Sequence, residues 1–400
     1  MKKKILALAV SGGLAAAPMG AMAAPEVYGL IDIGLEQFSA DNDAASGNEI
    51  FKGFNSVDGN SDDRDFTLSN GMTSRLGVRG SEELDVADLT ASYNIELQID
   101  VLNDGGGATN TRLGWAALGG DWGRIKAGSQ WQALYEFGGW NTHRTDVHGY
   151  GTYYYTTSVL NDSTAYGFRQ DSAISYEYGS AWGHSDPFSA QVTLGIGDGS
   201  TADGVDSAGD SVTVQNEEGI TSVQAAAQYS FNDQVSVNAV VHQEFSSYTD
   251  PGGGFSGTTT LDGLNSEPML VNVGARWNVT EALELAANYT QVDLDDADDN
   301  KRDAITIASF MDFGQGLTGH LGLSQGSDDR DEEQLYEGRD IDLNAFGYIK
   351  QALSDRTSIR LELEHIQYDG GSNVTNLSGT ETYDMDGDAT VAMVGLQHNF

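Results

Sequence analysis

Residues 390–400 read TVAMVGLQHNF and end the chain on an aromatic, Phe400. Counting back from the end, Phe400, Leu396, Val394 and Ala392 fall on one face of an extended strand, with Met393, Gly395, Gln397 and Asn399 on the other. One apolar face, one mixed face and a terminal aromatic make the pattern of a strand that crosses an outer membrane within a β-barrel. The apolar side meets lipid, the other meets a lumen, and the aromatic sits at the interface.

The opposite end of the chain predicts export. Lys2, Lys3 and Lys4 form a positive segment, residues 5–17 supply an apolar stretch, and Ala21-Met22-Ala23 supplies small residues for cleavage. Residues 1–23 therefore read as a signal peptide, with residues 24–400 as the mature domain. After the signal no run of 18 apolar residues occurs, so membrane crossing by helices is excluded. With no cysteine in the chain, stability must come from packing and sheet closure, and thiolate chemistry is absent. The formal net charge is −40. Nucleic acid is excluded as a partner by that charge. Much of the acid lies in loop-like stretches, residues 41–49, 62–65, 293–299, 328–333 and 384–388, which read as solvated loops. None has EF-hand spacing. Proline is scarce, at 5 against 50 glycines, as suits a sheet in which every strand needs its backbone donors.

Working inward, the alternating pattern recurs. In residues 221–231 Val223, Ala225, Ala227, Tyr229 and Phe231 share one face, and Ser222, Gln224, Gln228 and Ser230 the other. After the turn Asn232-Asp233-Gln234, Val235, Val237, Ala239 and Val241 resume the apolar face, opposite Ser236, Asn238, His242 and Glu244. Similar hairpins follow across residues 269–293 and 341–368, with Ile359, Leu361 and Leu363 facing away from Arg360, Glu362 and Glu364. Sixteen candidate strands start near Val27, Phe66, Leu89, Arg112, Gly123, Phe168, Phe188, Ile220, Val235, Met269, Leu283, Asp303, Leu317, Asp340, Thr357 and Ala389. Their connections are short and long in turn. The expected fold is an all-β, 16-stranded antiparallel transmembrane β-barrel with short periplasmic turns and long extracellular loops, wide enough for an aqueous channel. Tyr28, Phe38, Trp115, Tyr229, Phe231, Phe310, Phe313, Phe346 and Phe400, near strand ends, are expected in aromatic girdles. A soluble sandwich would not need the alternation of loop lengths.

Several segments resemble the general porins of Gram-negative outer membranes: SRLGVRGSEEL at 74–84, RLGWAALGGDWGRIKAG at 112–128, YEFGG at 135–139, FRQDSAISY at 168–176 and the terminal VGLQHNF. Their order covers the mature chain, from VYGLIDIGL at 27–35 to Phe400. The resemblance implies an inward-folded third loop that narrows the pore. That loop corresponds to residues 131–167, the longest connection, and carries Glu136, Asp146 and many aromatics. It also implies a homotrimer, in contact with outer-membrane lipid and lipopolysaccharide, and basic wall residues facing loop acids.

The residues themselves bear on the wall. Leu76 and Val78 share a face and should meet lipid, which sends Arg75 and Arg79 into the lumen; an arginine in lipid at the midplane would cost about 2–4 kcal/mol. Arg112 opens the fourth strand, with Leu113 and Trp115 read as outward, and Arg169 follows the third loop. The resemblance places these four arginines on the constriction wall, with Glu136 and, by position, Asp146 opposite. Two wall charges common in the family are absent, at Leu30 and Ser129. With the excess of acid, this predicts cation preference. No GxSxG, HExxH, P-loop or dinucleotide motif occurs, and His242 with Glu244 reads as polar lining, so no enzyme, cofactor or metal site is expected. The expected function is passive diffusion of small hydrophilic solutes and ions across the outer membrane. The alternatives are a substrate-selective channel of the same fold and a surface adhesin.

Overall fold

The computed structural model describes residues 24–42, 63–70, 74–102, 111–144, 151–157, 168–179, 186–198, 201–205, 211–215, 218–245, 267–294, 301–329, 340–369, 371–376, 379–384 and 387–400. The expected signal and Asp146 lie outside the described residues.

One antiparallel sheet closes on itself. In chain order its strands are β1 (Glu26–Asn42), β2 (Asp63–Ser69), β3 (Arg75–Glu83), β4 (Thr90–Gln98), β5 (Thr111–Gly120), β6 (Gly123–Trp131), β7 (Arg169–Tyr178) and β8 (Phe188–Asp198). A small hairpin follows, β9 (Thr201–Val205) with β10 (Ser211–Gln215). The wall resumes with β11 (Glu218–Ser230), β12 (Val235–Glu244), β13 (Met269–Thr280), β14 (Leu283–Asp293), β15 (Lys301–Gly314), β16 (Leu317–Asp328), β17 (Asp340–Ala352) and β18 (Thr357–Asp369). A second hairpin, β19 (Gly371–Asn376) with β20 (Gly379–Asp384), precedes the last wall strand, β21 (Gly387–Asn399).

β2 and β3 both pair with β1, through Gly34 to Ser39 and through Glu26 to Leu30 respectively. They are two halves of one wall position, so the barrel has sixteen. The expected starts fall within three residues of those observed; the differences are this split second strand and the two added hairpins, β9–β10 and β19–β20. Turns of two residues join β5 to β6, β13 to β14 and β15 to β16, at the same end of the barrel as both termini of the sheet.

Closure is made by β1 and β21, in register from Leu30↔Asn399 to Asn42↔Gly387. Gly29 and Phe400 extend it with reciprocal backbone hydrogen bonds of 3.1 Å. A Cβ at Gly29 would lie 2.3 Å from the Phe400 ring, so glycine is what lets the terminal aromatic lie over the seam. On the lumen side, Arg360 of β18 donates twice to Asp32 of β1, at 2.8 Å to each carboxylate oxygen. Gln397 of β21 donates to the same carboxylate at 3.2 Å, and the Ser74 hydroxyl, just before β3, bonds the Asp32 backbone. One buried cluster thus fastens four adjacent wall positions.

The two faces divide as the alternation predicts. Val394 is 53% exposed while its neighbour Met393 is 1% exposed, and Val237, Val241, Leu361 and Leu363 face outward from between buried Asn238, His242, Glu362 and Glu364. Exposed apolar side chains on a closed cylinder are the lipid face. The girdle expectation needs correction. Tyr229, Phe231, Phe313 and Phe400 are exposed near the short-turn end, joined there by Trp122 stacked on Tyr176. Phe38 instead packs against Ile341, Ile366, Ala389 and Val391, and Phe346 is buried against His143. Phe310 stacks on His320 inside, and the Tyr28 hydroxyl donates to Glu96. These aromatics serve the interior.

The seam generates a test. Replacing Arg360 by alanine leaves the Asp32 carboxylate buried without its bidentate partner, an effect of about 3–5 kcal/mol. Urea unfolding in detergent should show that loss. Arg79→Ala, whose pair with Glu26 is half exposed, should shift stability by less than about 1 kcal/mol.

Candidate functional site

The connection from β6 to β7 lies along the inner wall. It contains a π-helical turn, Leu134–Gly139, then α1 (Trp140–Thr142) and α2 (Gly151–Thr157). Leu134 and Phe137, three apart, project to one side and bury against Ala226, Val240, Leu270 and Val292 of β11 to β14. The Leu134 amide donates to the Gln224 side chain at 3.2 Å. An apolar patch on an otherwise polar lumen face is thereby explained as a seat for the loop.

Asn141 holds the next part. Its amide nitrogen donates to the Ala287 carbonyl at 3.0 Å, the Ala275 carbonyl at 3.3 Å and Asn288 Oδ1 at 2.6 Å, and its oxygen accepts from Arg276. Gly274 makes this approach possible: a Cβ there would lie 2.7 Å from the Asn141 amide nitrogen. Arg144 pairs with Glu284 and lies 3.7 Å over the Phe310 ring. His320 and the Thr142 carbonyl are 3.0 Å apart, so that ring nitrogen carries the proton and donates. Farther on, the Thr152 hydroxyl meets Ser324 at 2.7 Å. The loop thus touches the wall from β11 to β17.

Its other side is aromatic. Tyr135 packs on Trp131, Phe168 and Tyr153, with centroids 5.2, 4.5 and 6.1 Å away. Here the loop base meets arginines. Arg112 and Arg169 stand 6.0 and 5.4 Å from the Trp131 ring. Arg112 bonds Glu96 at 2.8 Å, and Arg75 lies 3.6 Å from the same carboxylate. Arg75, Arg112 and Arg169 are therefore linked through Glu96 and Trp131.

Arg79 faces the lumen as expected, nearer the short-turn rim; it bonds Glu26 by two contacts of 2.9 Å and lies 4.8 Å over the ring of Tyr28, whose hydroxyl donates to Glu96. Glu136 is on the loop and buried, and it lines a cavity with Arg124 and Glu177. Leu30 is buried beside Arg75, its register partner.

Leu113 and Trp115 are corrected. The register with β4 shifts between Glu96 and Leu97, and Arg112 is the extra residue. The bulge turns Arg112 and Leu113 both inward, so the alternation beyond it runs one residue out of step. Trp115 consequently shares a face with Lys126 and lies 5.5 Å from the Arg124 guanidinium and 5.6 Å from the Lys126 ammonium.

Further lumen charges complete the wall. Lys126 and Arg124 both pair with Glu177, and Arg302 bonds Asp328 at 2.7 Å. The Arg124-Ile125-Lys126-Ala127 alternation marks the first pair in the sequence. Arg144 with Glu284 has no local signal, since 140 residues separate them.

Asn141→Ala removes the loop's main anchor and leaves Arg276 buried without its acceptor. Amide exchange in residues 134–144 should then accelerate, while β11 to β14 stay protected. Unchanged exchange in the loop would contradict the anchoring.

Comparisons with known proteins agree with this geometry. The profile of the Gram-negative porin family matches residues 7–371. No curated protein matches the chain in sequence. Among solved structures, an anion-selective porin from Comamonas acidovorans is 16% identical with a TM-score of 0.67, covering 94% of this chain and 99% of its own. OmpT of Vibrio cholerae, folded in vitro and in trimer form, is 15% identical with a TM-score of 0.60, covering 94% and 99%. OmpF of Salmonella typhi, in complex with daunomycin, is 15% identical with a TM-score of 0.58, covering 94% and 97%. At these identities the structural likeness establishes the barrel fold. The family match spans most of the chain, and with the closed, lipid-faced barrel it makes this protein an outer-membrane channel and a member of the Gram-negative porin family.

Proposed function

We propose that the protein is a passive diffusion channel for small hydrophilic solutes and ions, with a preference for cations, working as a homotrimer. The observation that carries the reading is the third loop, seated on one inner wall while Arg75, Arg112 and Arg169 gather at its base around Glu96 and Trp131. A loop held inside the barrel limits width. Fixed charges around an aqueous aperture orient polar solutes and disfavour apolar ones, which gain nothing from the field. Neither part requires a catalytic group.

The preference for cations rests on charge balance. The guanidiniums of Arg75 and Arg112 share Glu96; Arg124 and Lys126 share Glu177; Arg144, Arg302 and Arg360 each have their own carboxylate. With Arg169 and Arg276 these lumen cations number nine, and Glu136, Glu244, Glu362 and Glu364 bring the carboxylates to nine, so the lining holds no positive excess to oppose the acidic chain. The whole chain carries −40. Charges far from the aperture are screened beyond about 8–10 Å at physiological salt, so the lining contributes most. The Comamonas acidovorans porin is anion-selective, and at 16% identity it shares the fold with this chain, so the fold alone does not fix the sign of selectivity. The trimer is supported by the trimer form of the Vibrio cholerae protein.

Single-channel recording in a planar bilayer with a KCl gradient tests the reading. Conductance in steps of three, reversing toward the potassium potential, is expected. Arg75→Gln and Arg112→Gln should move the reversal further toward potassium, and Glu136→Gln should move it back. Folded protein without conductance would sink the channel reading, and reversal toward chloride would sink the cation preference.

A further inference from the structure

Arg276 of β13 is 5% exposed and bonds, through Nε, the neutral side-chain oxygen of Asn141 on the third loop. Its Nη2 is buried and makes no hydrogen bond among the described residues. The charges acting on it are those of Arg144 and Glu284, which pair with each other. Two guanidiniums and one carboxylate leave one net positive charge between loop and wall. A buried charge is costly without a counter-charge, so the arrangement calls for an anion. The neighbouring side chains supply donors for one. Ser236 of β12 is the register partner of Arg276, which makes Asn238, two residues along the same face, its diagonal neighbour. Gln228 of β11 is the register partner of Asn238. Cβ atoms lie about 5 Å apart in opposite pairs and about 7–8 Å apart in diagonal ones, within reach of side chains this long. Both amides are buried on the lumen face, and Asn238 Nδ2 and Gln228 Nε2 also make no hydrogen bond among the described residues. Ser189 of β8, the register partner of Gln228, adds a buried hydroxyl in the same condition.

Three adjacent strands thus present N–H donors without acceptors, one of them charged. A metal cation would find donors where it needs acceptors. An extended organic anion does not fit among side chains as enclosed as these. We infer that the third loop and β11 to β13 enclose a binding site for a small inorganic anion, chloride, held by Arg276 Nη2 and the amides of Asn238 and Gln228. One halide balances the one excess charge, and a spherical ion accepts from donors arriving from several sides. The ion fixes Arg276, Arg276 fixes Asn141, and Asn141 fixes the loop on the wall. The site is a part of the loop's seat. It stands whether or not the barrel conducts, and whichever ions it prefers.

Two measurements on the detergent-folded full chain test it. In the first, amide exchange in residues 134–144 is followed while sodium gluconate is replaced by sodium chloride at constant ionic strength. Releasing the loop releases the ion, so protection there should rise with chloride, about tenfold once chloride reaches about ten times its dissociation constant. Bromide should substitute for chloride. Arg276→Gln should abolish the response and Asn238→Leu should weaken it, while Arg79→Ala, at the rim, should leave it intact. The second measurement needs no variant to fold. Crystals of the unchanged protein soaked in bromide should give an anomalous peak at hydrogen-bond distance from Arg276 Nη2 and Asn238 Nδ2. Equal exchange in chloride and gluconate, a chloride response that survives Arg276→Gln, or a bromide map with no peak at Arg276 overturns the proposal.

Discussion

Everything in this structure depends on pairing the backbone. At membrane depth no water is present to satisfy an amide or carbonyl, so each strand must find a neighbour on both sides and the sheet must close. The chain meets that requirement between its first and last strands, where β1 and β21 stay in register over thirteen residue pairs and Gly29 with Phe400 completes the ladder. Closure then dictates the rest. Side chains alternate between lipid and lumen, the lipid side must be apolar, and the polar half of every strand is gathered into one interior.

That interior is where the energetics become particular. Asp32 and Arg360, far apart in sequence, meet across the seam at 2.8 Å with Gln397 beside them. Buried ion pairs of this kind add little net stability compared with apolar packing, but losing one partner is severe, so the pair fixes which strands adjoin more than how strongly. The third loop uses both kinds of force. Leu134 and Phe137 give it an apolar footing, while Asn141 fixes its position by directed bonds to two wall carbonyls and to Asn288. The footing supplies the burial, and the directed bonds set the register of loop against wall.

Strands were legible in the sequence because a period of two is a local signal, as in residues 223–231 or 391–397. Arg75 and Arg79 were placed in the lumen by parity alone, and both face it. Parity failed at Arg112, where a bulge shifts the count by one and brings Trp115 inside. It also carries no depth: Arg79 bonds Glu26 nearer the rim and reaches the Glu96 group only through Tyr28. Aromatics near strand ends were read as lipid anchors, yet Phe346 and Phe310 support the loop tip through His143, His320 and Arg144. What a side chain meets across 140 residues of intervening chain leaves no mark in its own strand, which is why the Arg144–Glu284 and Asn141–Asn288 contacts had to come from the fold.

The central claim is that the third loop sits inside the barrel against β13 in the conducting protein. The chain has no cysteine, so an introduced pair reports without interference. A Cβ at Gly138 would lie 3.0 Å from Asn272 Cγ, within reach of a disulfide between the two positions. The measurement is cross-linking of the double variant Gly138→Cys/Asn272→Cys, with single-channel current recorded before and after reduction. The account predicts near-complete disulfide formation in the folded barrel and the same current oxidised or reduced. Failure to cross-link, or a current that changes when the bond is broken, would contradict it.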